Sequence, residues 1–135
     1  MPVRVQFIDE AVEDLLGYRQ HEALLPILKK LLRLEREGED VGQPLRHDLK
    51  GWRKIVIGNR DWRIIFRMDD TKTAATVLVI GDRAEEAVYI EAQRRLGAYT
   101  GERGTEVSLA ELLLRLREDE TAKRRKGTRK RHDAS

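Results

Sequence analysis

The spacing of apolar and polar positions changes several times along the chain, and each change marks an element. Residues 2–8 alternate, with Val3, Val5 and Phe7 set against Arg4 and Gln6, which predicts a half-buried strand. The period then lengthens. Val12, Leu15 and Leu16 form a helical stripe behind Asp9, which is placed as its N-cap, and Gly17 weakens the end of that helix. A second helix is predicted from about Glu22 to Glu37. Leu24, Leu25, Leu28, Leu31 and Leu32 recur at helical spacing, Pro26 is tolerable only near the first turn, and Gly38 is a plausible stop. The two helices read as a hairpin whose leucine stripes are core.

A loop over 39–49, containing Gly42, Pro44 and His47, leads through Leu49-Lys50-Gly51 into the β-rich centre. Residues 53–57 and 62–68 flank Gly58-Asn59-Arg60-Asp61, where adjacent Gly and Asn tolerate the positive φ of a tight hairpin. Pairing 57 with 62 also pairs 56 with 63 and 54 with 65. Alternation then puts Ile55, Ile57, Trp62, Ile64, Phe66 and Met68 on one face and Lys54, Val56, Arg63, Ile65 and Arg67 on the other. A slip of one residue would mix the two sets, so the register is well specified. After the turn residues Asp69-Asp70-Thr71, residues 74–80 are almost continuously apolar, as in a strand buried on both faces.

Gly81-Asp82-Arg83 turns into a helix expected over about 84–96, with Val88, Ala92 and Leu96 in one apolar line and Tyr89 beside them. Gly97, Gly101 and Gly104 mark a loop. Ser108-Leu109-Ala110-Glu111 is a capping box that opens a helix to about Glu120. Its stripe, Leu109, Leu112, Leu113 and Leu116, must bury against its own domain, a second copy or a partner. The predicted class is α+β: a small antiparallel sheet in the order β-α-α-β-β-β-α with a helical hairpin on one face. The expected segments are a domain over 1–97, a linker and amphipathic helix over 98–121, and a tail over 122–135. No internal repeat is present.

Charge changes the picture at one end. The net charge of +3 comes from 27 basic and 24 acidic residues. Lys123, Arg124, Arg125, Lys126, Arg129, Lys130 and Arg131 are basic, and Asp133 is the only acid beyond residue 122. Without that tail, residues 1–122 are net −3. Nucleic-acid binding by the folded part must therefore rest on a local patch. The like-charged tail is expected to be disordered when free, and it suits either solubilisation or phosphate contacts to rRNA or DNA. With no cysteine, disulfides and cysteine-based zinc sites are excluded. The start lacks a signal peptide's apolar core, and no apolar run approaches the roughly 20 residues of a membrane span. A soluble cytoplasmic protein is the expectation.

Sequence motifs for phosphate loops, serine nucleophiles and zinc proteases are missing, and His21, His47 and His132 show no metal spacing. What remains is a cation cluster with a tyrosine. Lys54, Arg63, Arg67 and Arg83 converge where the sheet face meets the start of the third predicted helix. Arginine offers a fixed fork of donors that matches phosphate oxygens. RNA can be cut without a metal, because its own 2′-OH can attack the neighbouring phosphate. That needs a base, a proton for the leaving oxygen, and cations for the developing charge. Arginine stays protonated, which leaves Tyr89 and Lys54 as the titratable candidates. The structural alternatives are a solvated strand face and a packed helix tyrosine.

The segments LKGWRKIVIGNRDWRIIFRM at 49–68, VLVIGDR at 77–83 and AVYIEAQRRL at 87–96, in this order behind a strand and two helices, resemble the RelE/ParE superfamily of bacterial toxin–antitoxin toxins. The likeness covers about residues 3–97. It implies a RelE-like fold and, on the RelE branch, metal-independent cleavage of ribosome-bound mRNA with no cofactor. By that resemblance Arg63 and Arg83 hold the scissile phosphate, Tyr89 is the base and Lys54 lends charge. Arg67, Lys50 and Arg53 are further candidates for phosphate contact, Arg53 lying on the opposite face in this register. Val56 stands where a second lysine belongs, and Asp82 where a basic residue is common. The ParE branch implies instead a non-enzymatic inhibitor of DNA gyrase, and a third possibility is a relative that only binds a partner. Both toxin branches imply a cognate antitoxin, and assembly as a homodimer or with the antitoxin is open.

Overall fold

The computed structural model describes residues 2–45, 51–59, 61–82, 85–98 and 106–118. Its elements are β1 (Arg4–Phe7), α1 (Asp9–Leu16), α2 (Leu24–Glu37), a 3-10 turn (Glu39–Val41), β2 (Gln43–Pro44), β3 (Trp52–Ile57), β4 (Trp62–Met68), β5 (Ala74–Gly81), α3 (Glu85–Ala98) and β6 (Val107–Ser108). A last helix, α4, spans 109–118. The strands form one sheet in the order β2-β3-β4-β5-β1-β6.

The β3–β4 hairpin has the register that the hydrophobic pattern specifies. Ile57 faces Trp62, Val56 faces Arg63 and Lys54 faces Ile65. Gly58 at φ 67 supplies the left-handed residue of the turn. β2 to β5 form an antiparallel run, and β1 then joins β5 in parallel, Val5 opposite Ala75 and Phe7 opposite Val77. The sheet is therefore mixed, because the α1–α2 hairpin carries the chain across before it returns to the sheet. One irregularity lies between β4 and β5: Ile65 faces Val79 while Phe66 faces Val77, so Leu78 is the extra residue of a bulge.

Ile55, Ile57, Ile64, Phe66 and Met68 are all buried, together with Ala11, Val12 and Leu15 of α1 and Ile27, Leu31 and Leu34 of α2. The buried face of α2 is thus turned from the expected one, because Leu25 and Leu32 of the predicted stripe are exposed. Contact is close enough that a Cβ on Gly42 would lie 2.8 Å from Phe66 Cε1 and 2.9 Å from the Lys54 carbonyl. Ile65, on the opposite side, is buried as well. Val88 and Ala92 of α3 are fully covered, and α3 packs on β4 and β5.

Several local expectations shift. Asp9 is the first helical residue rather than the cap; Ile8 holds the N-cap position with no side-chain bond, so Asp9 acts only through the helix dipole. α2 begins at Leu24, two residues later than expected, which puts Pro26 in its first turn. Gly38 does stop it, at φ 93. Ser108 caps α4, its Oγ accepting the Glu111 N–H at 3.1 Å, while the Glu111 carboxylate accepts from Arg115 at 3.3 Å.

The two shortest strands were not expected from pattern. β2 comes from the loop before the hairpin, and β6 from the segment before α4. Through β6, the segment beyond residue 97 joins the same sheet, Gln6 opposite Ser108 and Phe7 opposite Val107. Val107, Leu109 and Leu112 bury into the common core, so the α4 stripe closes on its own domain. Among the described residues no helix is long and apolar enough to cross a membrane.

Candidate functional site

Direct pairing puts side chains on one side of a sheet. Three rows therefore share the face opposite the α1–α2 core. Val56, Arg63 and Gly81 form one; Lys54, Ile65 and Val79 the next; Trp52, Arg67, Thr76 and Gln6 the third. Lys54 is thus a diagonal neighbour of both Arg63 and Arg67, at roughly 7–8 Å between backbones. Lys54 and Arg63 are half-buried, with the Arg63 Nε among the buried atoms, and Arg67 is exposed. The hairpin brings together three of the expected cations and grades them from the sheltered Arg63 to the solvated Arg67.

Tyr89 arrives from α3. Its ring lies against Trp52, centroids 6.2 Å apart at 58°, and both residues are buried. Trp52 shares a face with Lys54, two residues on, so this contact puts Tyr89 at the Trp52 end of that face. Trp52 lies one residue before the strand predicted at 53–57, and the hydrophobic pattern gives it no role. The signal that marks it is its position, two residues before Lys54 and so on the same face.

Arg53 is corrected as a phosphate candidate. It points to the other face, where its Nε donates to the Glu39 carbonyl at 2.8 Å and its Nη2 to the Gly42 carbonyl at 2.7 Å. The guanidinium closes the 3-10 turn against β3 and is spent on backbone. Lys50, Arg83 and the seven basic residues over 123–131 lie outside the described residues.

A second charged cluster was not anticipated at all. β1 pairs with β5 only as far as Val77, so the edge of β5 beyond it needs other partners. Asp14 of α1 accepts the Ile80 N–H at 3.0 Å, and Arg95 of α3 donates to the Leu78 carbonyl at 2.9 Å. Those two side chains pair with each other through both guanidinium nitrogens, at 2.6 and 3.1 Å. Glu91 accepts from Arg94 and from Arg95 at 2.7 to 2.9 Å, and Arg94 also reaches Glu10. The Arg94 and Arg95 hydrogen bonds hold the Glu91 carboxyl down to about 2. For Arg95, burial disfavours the charge, but the bonds to Asp14 and Glu91 outweigh it and its pKa is raised. The cluster ties α1 and α3 to the sheet.

Beside it lies a cavity of about 320 Å³ whose walls include Tyr18, Asp14, Asp82 and Val88. Burial, then the charges of Asp82 and Asp14, push the Tyr18 hydroxyl up. Lys54, Arg63 and Tyr89 do not line that cavity. The candidate site is therefore the sheet face that carries Lys54, Arg63 and Arg67, and not this cavity.

No protein-family model and no curated protein matches the chain. Solved structures do. One is the RelBE2 toxin–antitoxin complex from Mycobacterium tuberculosis, 30% identical, with a TM-score of 0.51, aligned over 62% of this chain and 100% of that one. Another is a free E. coli RelE toxin carrying two arginine-to-alanine changes, 18% identical, with a TM-score of 0.58, over 71% of this chain and 99% of that one. The second shares the fold alone.

Proposed function

The chain belongs to the RelE family of toxin–antitoxin toxins, and from that premise we propose that it cuts ribosome-bound mRNA by 2′-OH attack on the adjacent phosphate. The observation that carries this reading is the register that sets Lys54 diagonally between Arg63 and Arg67 on one face, with Tyr89 packed on Trp52 of the same face. Tyr89, as its phenolate, takes the proton of the 2′-OH. The 2′-oxygen forms its bond to phosphorus as the bond to the 5′-oxygen breaks, and water gives a proton to that leaving oxygen. Arg63, with Arg83 from the β5–α3 connection, holds the phosphoryl oxygens where negative charge grows. Lys54 adds to that field, and Arg67 binds a flanking phosphate. Removing one such donor costs roughly 10²–10³ in rate, and losing the base roughly 10²–10⁴.

Val56 removes one cation from this face, so the remaining ones carry the charge between them. A cognate antitoxin would restrain the toxin by covering the same face. The seven cations over 123–131 add sequence-independent contacts to ribosomal RNA.

The test is induction of the wild type, Arg63→Ala, Arg83→Ala and Tyr89→Phe in cells without antitoxin, followed by mapping of new RNA 5′ ends. Cuts at fixed positions within translated codons, lost in the variants, are the expected result. Intact mRNA with arrested growth and relaxed or broken DNA would replace this reading with gyrase inhibition.

A further inference from the structure

We propose that Trp52 is a positioning residue for Tyr89, a role that rests on the reading of Tyr89 as the base. Tyr89 lies in the N-terminal half of α3, whose other half is tied down through Arg95. Val88 seats the helix in the core, but a neighbouring residue on a helix points about 100° away, so Val88 does not fix the Tyr89 ring. The ring contact recorded for Tyr89 is with Trp52, at 6.2 Å and a tilt of 58°, inside the usual range for aromatic pairs.

The backbone at Trp52 is held on both edges of β3. Its carbonyl accepts the Leu45 N–H at 3.1 Å, and it pairs with Arg67 on β4. Gly51 before it sits at φ 84 and accepts the Met68 N–H at 2.9 Å. A side chain on a strand fixed at both edges makes a rigid platform. Lys54 rises from the same strand and face two residues on, about 7 Å away along the chain. Covalent geometry along the strand fixes Trp52 relative to Lys54, and the ring contact carries that spacing on to Tyr89. Trp52, 6% exposed, is also part of the buried core, on the face that buries Ile65 and Val79.

A double-mutant cycle on the full chain tests this, using single-turnover cleavage of an mRNA held on ribosomes. Trp52→Leu keeps an apolar side chain but removes the ring. It is expected to slow cleavage at saturating toxin about ten- to a hundredfold, with the half-saturating concentration unchanged. Trp52→Phe is expected to recover most of the rate. In a Tyr89→Phe background, Trp52→Leu is expected to cost nothing further. An equal loss in both backgrounds, or a loss that tracks the fall in melting temperature and is not recovered by Trp52→Phe, would overturn the inference while leaving Tyr89 as the base. A silent Tyr89→Phe would overturn the base assignment, and this inference with it.

Discussion

Arg53 and Arg67 would look equivalent in a composition count, yet they differ in role because of the direction in which they point. Arg53 is anchored on the Glu39 and Gly42 carbonyls, whereas Arg67 stands exposed on the Lys54 face. Losing charge-assisted bonds to backbone costs about 2 kcal/mol. Arg53→Ala should therefore lower stability by about that much and leave RNA affinity unchanged when measured on folded protein. Arg67→Ala should do the reverse: a stability change within about 0.5 kcal/mol, and weaker RNA binding whose log–log salt slope falls by about one. Urea unfolding and a salt series of binding isotherms on both variants check the contrast.

At the scale of elements, the Asp14–Arg95 pair does for the upper half of β5 what β1 does for the lower half: it satisfies backbone groups at an edge. Glu91 extends that arrangement along α3, and its pH dependence follows from the sign of its shift. A carboxyl held at about 2, below its ordinary 4.5, stabilises the folded chain fully above that ordinary value and loses the contribution as the pH falls through about 2. The stability gap between wild type and Glu91→Gln should accordingly be widest near neutral pH and close as the pH approaches 2. Urea midpoints for both proteins across that range measure it; a gap independent of pH would mean the ion pairs contribute nothing through their charge. The same contacts hold α3 on the sheet at Arg95, while its Tyr89 packs on Trp52.

For the molecule as a whole, the segment beyond residue 105 is part of the domain rather than an appendage. β6 covers the outer edge of β1, and Val107, Leu109 and Leu112 bury against the core. Fully burying one such side chain is worth about 1.5–3 kcal/mol. Truncation after residue 105 should thus cost several kcal/mol and bare both an apolar patch and a strand edge, which is a template for pairing with another chain. Concentration-dependent self-association in sedimentation, together with a lowered unfolding midpoint, is the expected outcome. A truncated chain that stays monomeric and equally stable would show that β6 and α4 lie on the domain without supporting it. The RelBE2 toxin aligns over 62% of this chain, so the total length here leaves room for such an addition.

What was legible in the amino-acid order was whatever depends on neighbours along the chain. The alternation of Ile55, Ile57, Ile64 and Phe66 with Lys54, Arg63 and Arg67 determined the hairpin's register and the sidedness of its charge, because a one-residue slip would bury cations. Leucine spacing determined α1 and α2, Gly38 determined where α2 stops, and Ser108 determined where α4 starts. Only the tertiary structure decided the contacts between segments distant in sequence. The parallel β1–β5 pair, the two-residue strands β2 and β6, the Asp14–Arg95 edge cap and the Trp52–Tyr89 contact leave no periodic trace. Each is short, and its partners lie beyond the reach of the local pattern, at least nine positions away for β2 and about seventy for β1. The capture of Arg53 by backbone carbonyls belongs with them: the strand pattern gives its face, but only the fold supplies the two acceptors waiting there.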